Sequence, residues 1–383
     1  MSIIIIILAI ISAIFLIICY FKWPTVEHYI AVLWKELGKP YMLYMLNVSI
    51  KKVILKYFLA VTTICSCNGL SKLFVTITVE NDGKEYKTLL GIDTATIDIL
   101  TFGIVTLMTL VVLFMIYLEY KKGINKYKQL DKTCIVMYAA QIANDIPLLS
   151  YNMACKAIEN KYAPSDGSPI RIPIELERKN ISEDLFWKEE DFRLRNKVRN
   201  LLFPYLQTAG IQHISLFALA PMPLLVRLGT LLNEKLSVDV FQKHRSPDNW
   251  NRLHEPAQDF LVNEPAISNR QPVLVFSLSD NIKDRIDSLY GDNASIWEVT
   301  VHNPNMDMLR TNKQQEEFRK IIRELLSRIS HASSYSVINV HMAMPAALAI
   351  EFGRVWMPKA HKSLRLFDFR NNRENETLTI IDE

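Results

Sequence analysis

The sequence predicts a chain of two classes, an α-helical transmembrane region at the amino end and an α/β region with parallel sheets at the carboxyl end. Three observations carry this. The 383 residues exceed one ordinary domain, and half are apolar while 22% are charged, which fits a membrane segment joined to a water-soluble part. Two long uncharged runs stand in the amino-terminal third, and an internal repeat of βαβ pattern stands in the carboxyl-terminal half. With 11 Gly, 16 Pro and 5 Cys, collagen-like repeats, disorder and a disulfide-stapled scaffold are excluded. Cys19, Cys65, Cys67, Cys134 and Cys155 form no CxxC pair, so structural zinc is not expected. The net charge of +4 is too small to point to duplex nucleic acid as a partner.

The first run, Ile3 to Phe21, carries no charge and one Ser, long enough at about 1.5 Å per residue to cross about 30 Å of hydrocarbon. A cleaved signal peptide is the competing reading, but no Lys or Arg precedes the run and no small-x-small site follows it. Ile99 to Leu118 is likewise uncharged. After it come Lys121, Lys122, Lys126, Lys128 and Lys132, while Asp93 and Asp98 precede it, so the positive-inside rule places everything from Glu119 onward in the cytoplasm. A third apolar stretch near 53–75 is shorter and broken by Asn68 and Gly69, which leaves two or three spans open. Phe74 to Gly91 alternates apolar and polar residues around Asn81-Asp82-Gly83, a hairpin signal. Residues 1–120 are thus expected to form a multi-pass region in the bacterial inner membrane, with the lipid bilayer as a partner.

Residues 121–200 read as connector helices. A helical pattern is expected near Ile135 to Ile158, a loop from Pro164 to Pro173, and a charged amphipathic helix from about Ser182 with Leu185, Phe186, Phe192 and Leu201 as its apolar positions.

The repeat begins near Ile211. When HISLFALAPMPLLVRLG from His213 is set beside the segment from Ile338, Pro221 falls on Pro345 and Gly229 on Gly353, each glycine eight residues after its proline. Both copies continue into an alternating segment, Val238 to Phe241 or Leu364 to Phe367. Each copy therefore predicts a strand, a turn with proline, a helix and a second strand, a βαβ unit of Rossmann type. Gly229 and Gly353 fall inside helices, where close helix-to-sheet packing or ligand contact explains them. Pro272 to Leu278 and Ile296 to Val301 read as further parallel strands, and Gln314 to Ile329 as an amphipathic helix.

In such units ligands gather at the carboxyl ends of the strands, near helix N-termini. That places Phe217, Ala220, Pro221 and Met222 of the first copy, and His341, Met342, Met344 and Pro345 of the second, among the candidate ligand contacts. His341 takes the position of Phe217, either to meet a base or to end a strand. Lys243, His244 and Arg245 follow the second strand, where they reach phosphates or form a solvated loop, and Trp250 can stack a purine. Ser277, Ser279 and Asp280 close another strand, at the ligand edge or as turn chemistry. No HExxH, GxxxxGK[ST] or GxSxG motif occurs, so no enzyme, metal or cofactor is expected.

LFALAPMPLLVRLG with VDVFQKHR and Trp250, then VLVFSLS, then VHMAMPAALAIEFGRVWMP with SLRLFDF, together resemble the SAVED sensor domain of bacterial CBASS antiphage systems over Ile211 to Phe369. The resemblance implies two fused CARF-like units within residues 201–383. It also implies a cyclic di- or trinucleotide ligand made by a cognate nucleotidyltransferase, with homo-oligomerisation on ligand binding. With membrane spans in the effector slot, it implies a membrane-disrupting effector of abortive infection. A regulatory nucleotide-binding module or a ring nuclease is the alternative.

Overall fold

The computed structural model describes residue 63 and residues 94–139, 149–158, 162–174, 183–245, 249–250, 253, 257–370 and 372–381. The chain divides into two compact units, Met1–Leu130 and Asp131–Glu383. The expected span at Ile3 to Phe21 lies outside the described residues, as do the hairpin at Phe74 to Gly91 and, apart from Thr63, the stretch near 53–75.

In the first unit, helix α1 runs from Thr94 to Gln129 and contains the uncharged run Ile99 to Leu118. Phe102, Leu107 and Phe114 on it are more than 60% exposed. Judged on the described residues, no helix is long and apolar enough to cross a membrane.

The second unit holds two sheets. The first contains β1 (Asp131–Ala139), β2 (Tyr162–Pro164), β3 (Ile170–Pro173), β4 (His213–Leu219) and β5 (Ser237–Phe241), with α2 (Tyr151–Ala157), α3 (Glu183–Lys197), α4 (Phe203–Thr208) and α5 (Met222–Leu232) between them. A π turn, Val198–Leu202, joins α3 to α4. All pairings are parallel: β4 lies between β1 and β5, and β2 and β3 share the other edge of β1. The second sheet contains β6 (Phe260–Asn263), β7 (Gln271–Ser277), β8 (Ala294–Val301), β9 (Val337–Ala343), β10 (Ser363–Arg370) and β11 (Arg373–Ile380). Its helices are α6 (Lys283–Tyr290), α7 (Asn312–Ala332) and α8 (Ala346–Val355). The order is β11-β10-β9-β7-β8-β6, with a parallel centre and antiparallel edges.

The repeat is visible in this topology, because β1-β4-β5 with α5 matches β7-β9-β10 with α8. Registers agree as well. Phe217 pairs with Phe241, and one residue beyond the paired Val340 and Leu366 stand His341 and Phe367. Central strands are apolar on both faces, as helix-covered parallel sheets require. In β4, Ile214, Leu216 and Ala218 enter the large central core, while Phe217 enters a smaller core with Ile135, Met137 and Ala154.

Helices α5 and α8 cross at the two repeat glycines. A Cβ on Gly229 would lie 2.1 Å from the Ile350 carbonyl oxygen, and one on Gly353 would lie 2.0 Å from that of Val226. The close packing is therefore helix against helix across the repeats, not the helix against sheet that the sequence suggests. Arg354 of α8 ties the crossing, donating to the carbonyls of Asn233, Leu236 and Val238 at 3.0–3.3 Å. Beside it Glu351, fully buried, pairs with Arg354 and Arg319 at 3.1 Å. Burial pushes the Glu351 carboxyl up even though both arginines oppose the shift.

Two expectations are corrected. The helix expected near Ile135 to Ile158 is instead β1 up to Ala139, with a short helix only from Tyr151. A continuous apolar run such as Cys134 to Ala139 does not by periodicity distinguish a buried strand from a buried helix. The loop expected from Pro164 to Pro173 supplies the end of β2 and the whole of β3. The first α/β unit thus begins at Asp131.

An alanine at a helical position otherwise filled by glycine stabilises by about 1 kcal/mol in open surroundings. At Gly229 and Gly353 the neighbour is backbone that has no room to yield, so Gly229→Ala and Gly353→Ala should each destabilise by about 2 kcal/mol or more. Thermal melting of each variant checks this. A melting temperature at or above that of the parent would show that the helices can separate at no cost.

Candidate functional site

The carboxyl edges of the two sheets meet. β4 runs through Ala220 into α5 with Pro221 at its N-cap, and β9 runs through Met344 into α8 with Pro345 at its N-cap. Proline suits both turns, since its fixed φ fits the entry to a helix. Each proline carbonyl accepts from two helix N–H groups, Leu224 and Leu225 or Leu348 and Ala349, at 3.0–3.2 Å. The Ala347 N–H of α8 donates to Gln242 Oε1 at 3.0 Å, so the residue following β5 in one repeat caps the helix of the other. Gln315 of α7 donates to the Val240 carbonyl at 3.1 Å, and the Arg245 N–H donates to Asp307 at 3.0 Å. These bonds bring the loops after β5 and β8 together with the N-termini of α7 and α8, where free N–H groups favour anions.

The candidate residues divide by exposure. Pro221, Met222, Lys243, Ser279 and Met342 are partly exposed, and Arg245 and Asp280 fully so. Burial lowers the Lys243 ammonium below its usual range, with Asp307 opposing. The other residues are buried. Phe217 stacks on Phe241 at 4.4 Å and meets Trp250 edge-on at 5.5 Å, so this aromatic trio fills a core. Ala220, Met344 and Pro345 are packed under the edge. Ser277 ends β7 with a buried hydroxyl that has no hydrogen-bond partner.

His341 is fully buried, with Nδ1 2.9 Å from Glu374 and Nε2 3.0 Å from the Tyr290 hydroxyl, and its ring is stacked on Phe367 at 4.5 Å. Tyr290 also accepts from Asn339 at 3.2 Å, and Glu374 pairs with Arg285 at 2.7 Å. Burial alone would raise the Glu374 carboxyl, but the His341 hydrogen bond and charge together with Arg285 hold it below the usual carboxylate range.

Residues at this edge that the sequence reading passed over are Gln242, Asp307 and Arg310. Gln242 is the first residue beyond an expected strand, a position that carries ligand or cap contacts in such units, and that signal was available. The others lie on the loop after β8 and have no local signature. His244, named only as part of a basic loop, is buried and lines a cavity with Gln242, Trp250, Arg310 and Thr311 that has room for about one water. Its Nδ1 has no hydrogen-bond partner, and the nearest acid, Asp307, is 4.0 Å away. Among the described residues no cluster of His, Cys, Asp and Glu is arranged to hold a metal ion.

Residues 194–379 match the family model of the SAVED domain, the "SMODS-associated and fused to various effectors sensor domain". This segment is a SAVED sensor domain. The match opens inside α3, so β1, β2 and β3 of the first sheet precede the SAVED segment. No curated protein matches the chain.

Among solved structures, the Acinetobacter baumannii Cap4 SAVED/CARF-domain containing receptor with the cyclic trinucleotide 2'3'3'-cAAA aligns at 9% identity with a TM-score of 0.42, over 76% of this chain and 62% of that one. The same receptor with 3'3'3'-cAAA aligns at 10% identity with a TM-score of 0.41 over the same shares. The Moraxella osloensis Cap4 receptor aligns at 10% identity with a TM-score of 0.38, over 76% and 61%. The chain spans about three-fifths of the length of these receptors, and likeness at this level carries no argument about ligand or assembly.

Burial lowers both His244 and His361, which stay neutral in the fold while the unfolded chain takes up protons below about pH 6.5. The unfolded state then binds more protons than the native one, so stability falls as pH drops through about 6.5. Melting followed between about pH 7.5 and 5.5 should show this decline, and His244→Gln with His361→Gln should flatten it. An unchanged slope in the double variant would place the titrating groups elsewhere.

Proposed function

We propose that this protein is a membrane-anchored antiphage effector. Its SAVED segment binds a cyclic di- or trinucleotide from a cognate nucleotidyltransferase, the protein oligomerises on binding, and the membrane segments then disrupt the bacterial inner membrane in an abortive infection. The observation that carries the reading is the SAVED match, seated on a duplicated α/β unit whose two carboxyl edges meet at the Gln242 to Ala347 hydrogen bond.

A cyclic oligonucleotide carries one negative charge per phosphate. The partly exposed candidates meet it: Lys243 and Arg245 face phosphates, and Ser279 and Asp280 offer hydrogen-bonding groups to ribose or base. Pro221, Met222 and Met342 form the apolar floor, and the buried set from Phe217 to Pro345 holds that floor in shape. The membrane end of the reading is supported by the uncharged run Ile99 to Leu118, by the exposed apolar side chains of α1, and by the lysines from Lys121 to Lys132, which put the SAVED segment in the cytoplasm. The ring-nuclease alternative would need a free base. Both ring nitrogens of His341 are engaged, which favours a sensor over a nuclease.

The test is cellular and biochemical together. Full-length protein should be toxic only in the presence of the cognate nucleotide, and removal of residues 1–118 should abolish toxicity while nucleotide binding persists. In the binding arm, Lys243→Glu with Arg245→Glu should weaken affinity by about tenfold or more, since each charge-assisted contact is worth about 1.5 to 3 kcal/mol. Toxicity of the truncated chain would mean a soluble activity and would overturn the membrane reading.

A further inference from the structure

Helix α3 has two unlike sides. Phe186, Trp187 and Leu194 face the core, followed by Val198 and Leu202 of the π turn. Glu190 and Asp191 are also buried on that side, Asp191 in an ion pair with Arg227 at 2.6 Å. The opposite side carries Leu185, Phe192 and Leu201, which are 46%, 62% and 42% exposed. Along it, Glu189, Phe192, Arg193, Asn196 and Lys197 line an open groove. Apolar side chains this exposed on a charged helix mark a surface that another molecule covers.

The order of the residues selects the occupant. Arg193 stands at the centre, with Glu189 four residues before it and Lys197 four after, Leu185 eight before and Leu201 eight after, and Phe192 beside it. Leu201 falls within the π turn about one turn on from Lys197, so it stays on this side of the rod. Such a row is complementary to itself when reversed. In an antiparallel pair about a two-fold axis at Arg193, Leu185 meets Leu201 of the second copy and Glu189 meets its Lys197, each contact made twice, and the two Phe192 rings lie beside the axis. Arg193 brings no unpaired like charge to the axis, because Glu190 of its own helix holds it at 3.4 Å. A parallel pair would set Glu189 against Glu189 and Lys197 against Lys197, which excludes that arrangement.

We propose that the outer face of α3 is an isologous dimer surface occupied by a second copy of this chain in the absence of nucleotide. It does not depend on the nucleotide reading above, and it differs from assembly driven by ligand. It would make the pair the resting unit on which ligand acts.

The experiment uses the full-length chain in detergent without nucleotide, with mass followed by light scattering over a dilution series and folding followed by melting temperature. The parent should be dimeric. Glu189→Lys and Lys197→Glu, each made alone, should weaken the dimer by about tenfold, because two attractive pairs become two repulsive ones. The two substitutions together should restore it, and an equimolar mixture of the single variants should form heterodimers. Phe192→Glu should give monomers that melt as the parent does. A monomeric parent, single variants that associate as the parent does, or a double variant that stays weakened would each overturn the proposal, and none of these results bears on whether nucleotide binds.

Discussion

The contact on which the rest of the second unit depends is the crossing of α5 and α8 at Gly229 and Gly353. Backbone meets backbone there, with no space for a Cβ on either side. Because both helices begin at a proline eight residues upstream, the crossing sets both N-termini at the same distance, about 12 Å along each helix axis, from one pseudo-two-fold point. From that geometry Gln242 reaches the Ala347 N–H and Arg354 reaches the carbonyls between Asn233 and Val238. The buried Glu351, Arg354 and Arg319 cluster adds little net stability by itself, but removal of one member would leave a buried charge unpaired, so it fixes which way the halves join.

Equal topology carries unequal chemistry. Phe217 on Phe241 and His341 on Phe367 occupy matching places in the two repeats, and both pairs are stacked, at 4.4 and 4.5 Å. In the first repeat the remaining space is filled by Trp250, whereas in the second Tyr290, Asn339, Glu374 and Arg285 satisfy the imidazole. The halves therefore offer different floors beneath the same backbone frame. A ligand seated between them meets two distinct surfaces, which fixes its orientation even when its own units are chemically alike.

Much of this was legible in the sequence. The offset of Pro221 and Gly229 against Pro345 and Gly353 locates both βαβ units, and the apolar runs at Pro272 and Ile296 locate β7 and β8, because strict spacing and continuous β-branched runs reflect local geometry. What the sequence conceals is long-range. The Cys134 to Ala139 run becomes a strand only because β4 and β3 flank it, and Gly229 needs its partner Gly353 before its reason appears. The burial of His341 depends on Glu374 and Tyr290, 33 and 51 residues away, and no local pattern announces either. At the candidate site, Lys243 and Arg245 were legible as a basic loop after a strand, while Asp307 and Arg310, which face the same loop, were not.

Hydrogen exchange of the full-length protein with and without a panel of cyclic di- and trinucleotides tests the central claim most directly. The account predicts that one nucleotide slows exchange in the Gln242 to Trp250 loop and in the Met342 to Ala347 turn together, while the α5 and α8 amides around Gly229 and Gly353 stay protected throughout. Slowed exchange confined to one of the two turns, or exchange at the crossing that rises on binding, would contradict a site built across a fixed junction of the repeats.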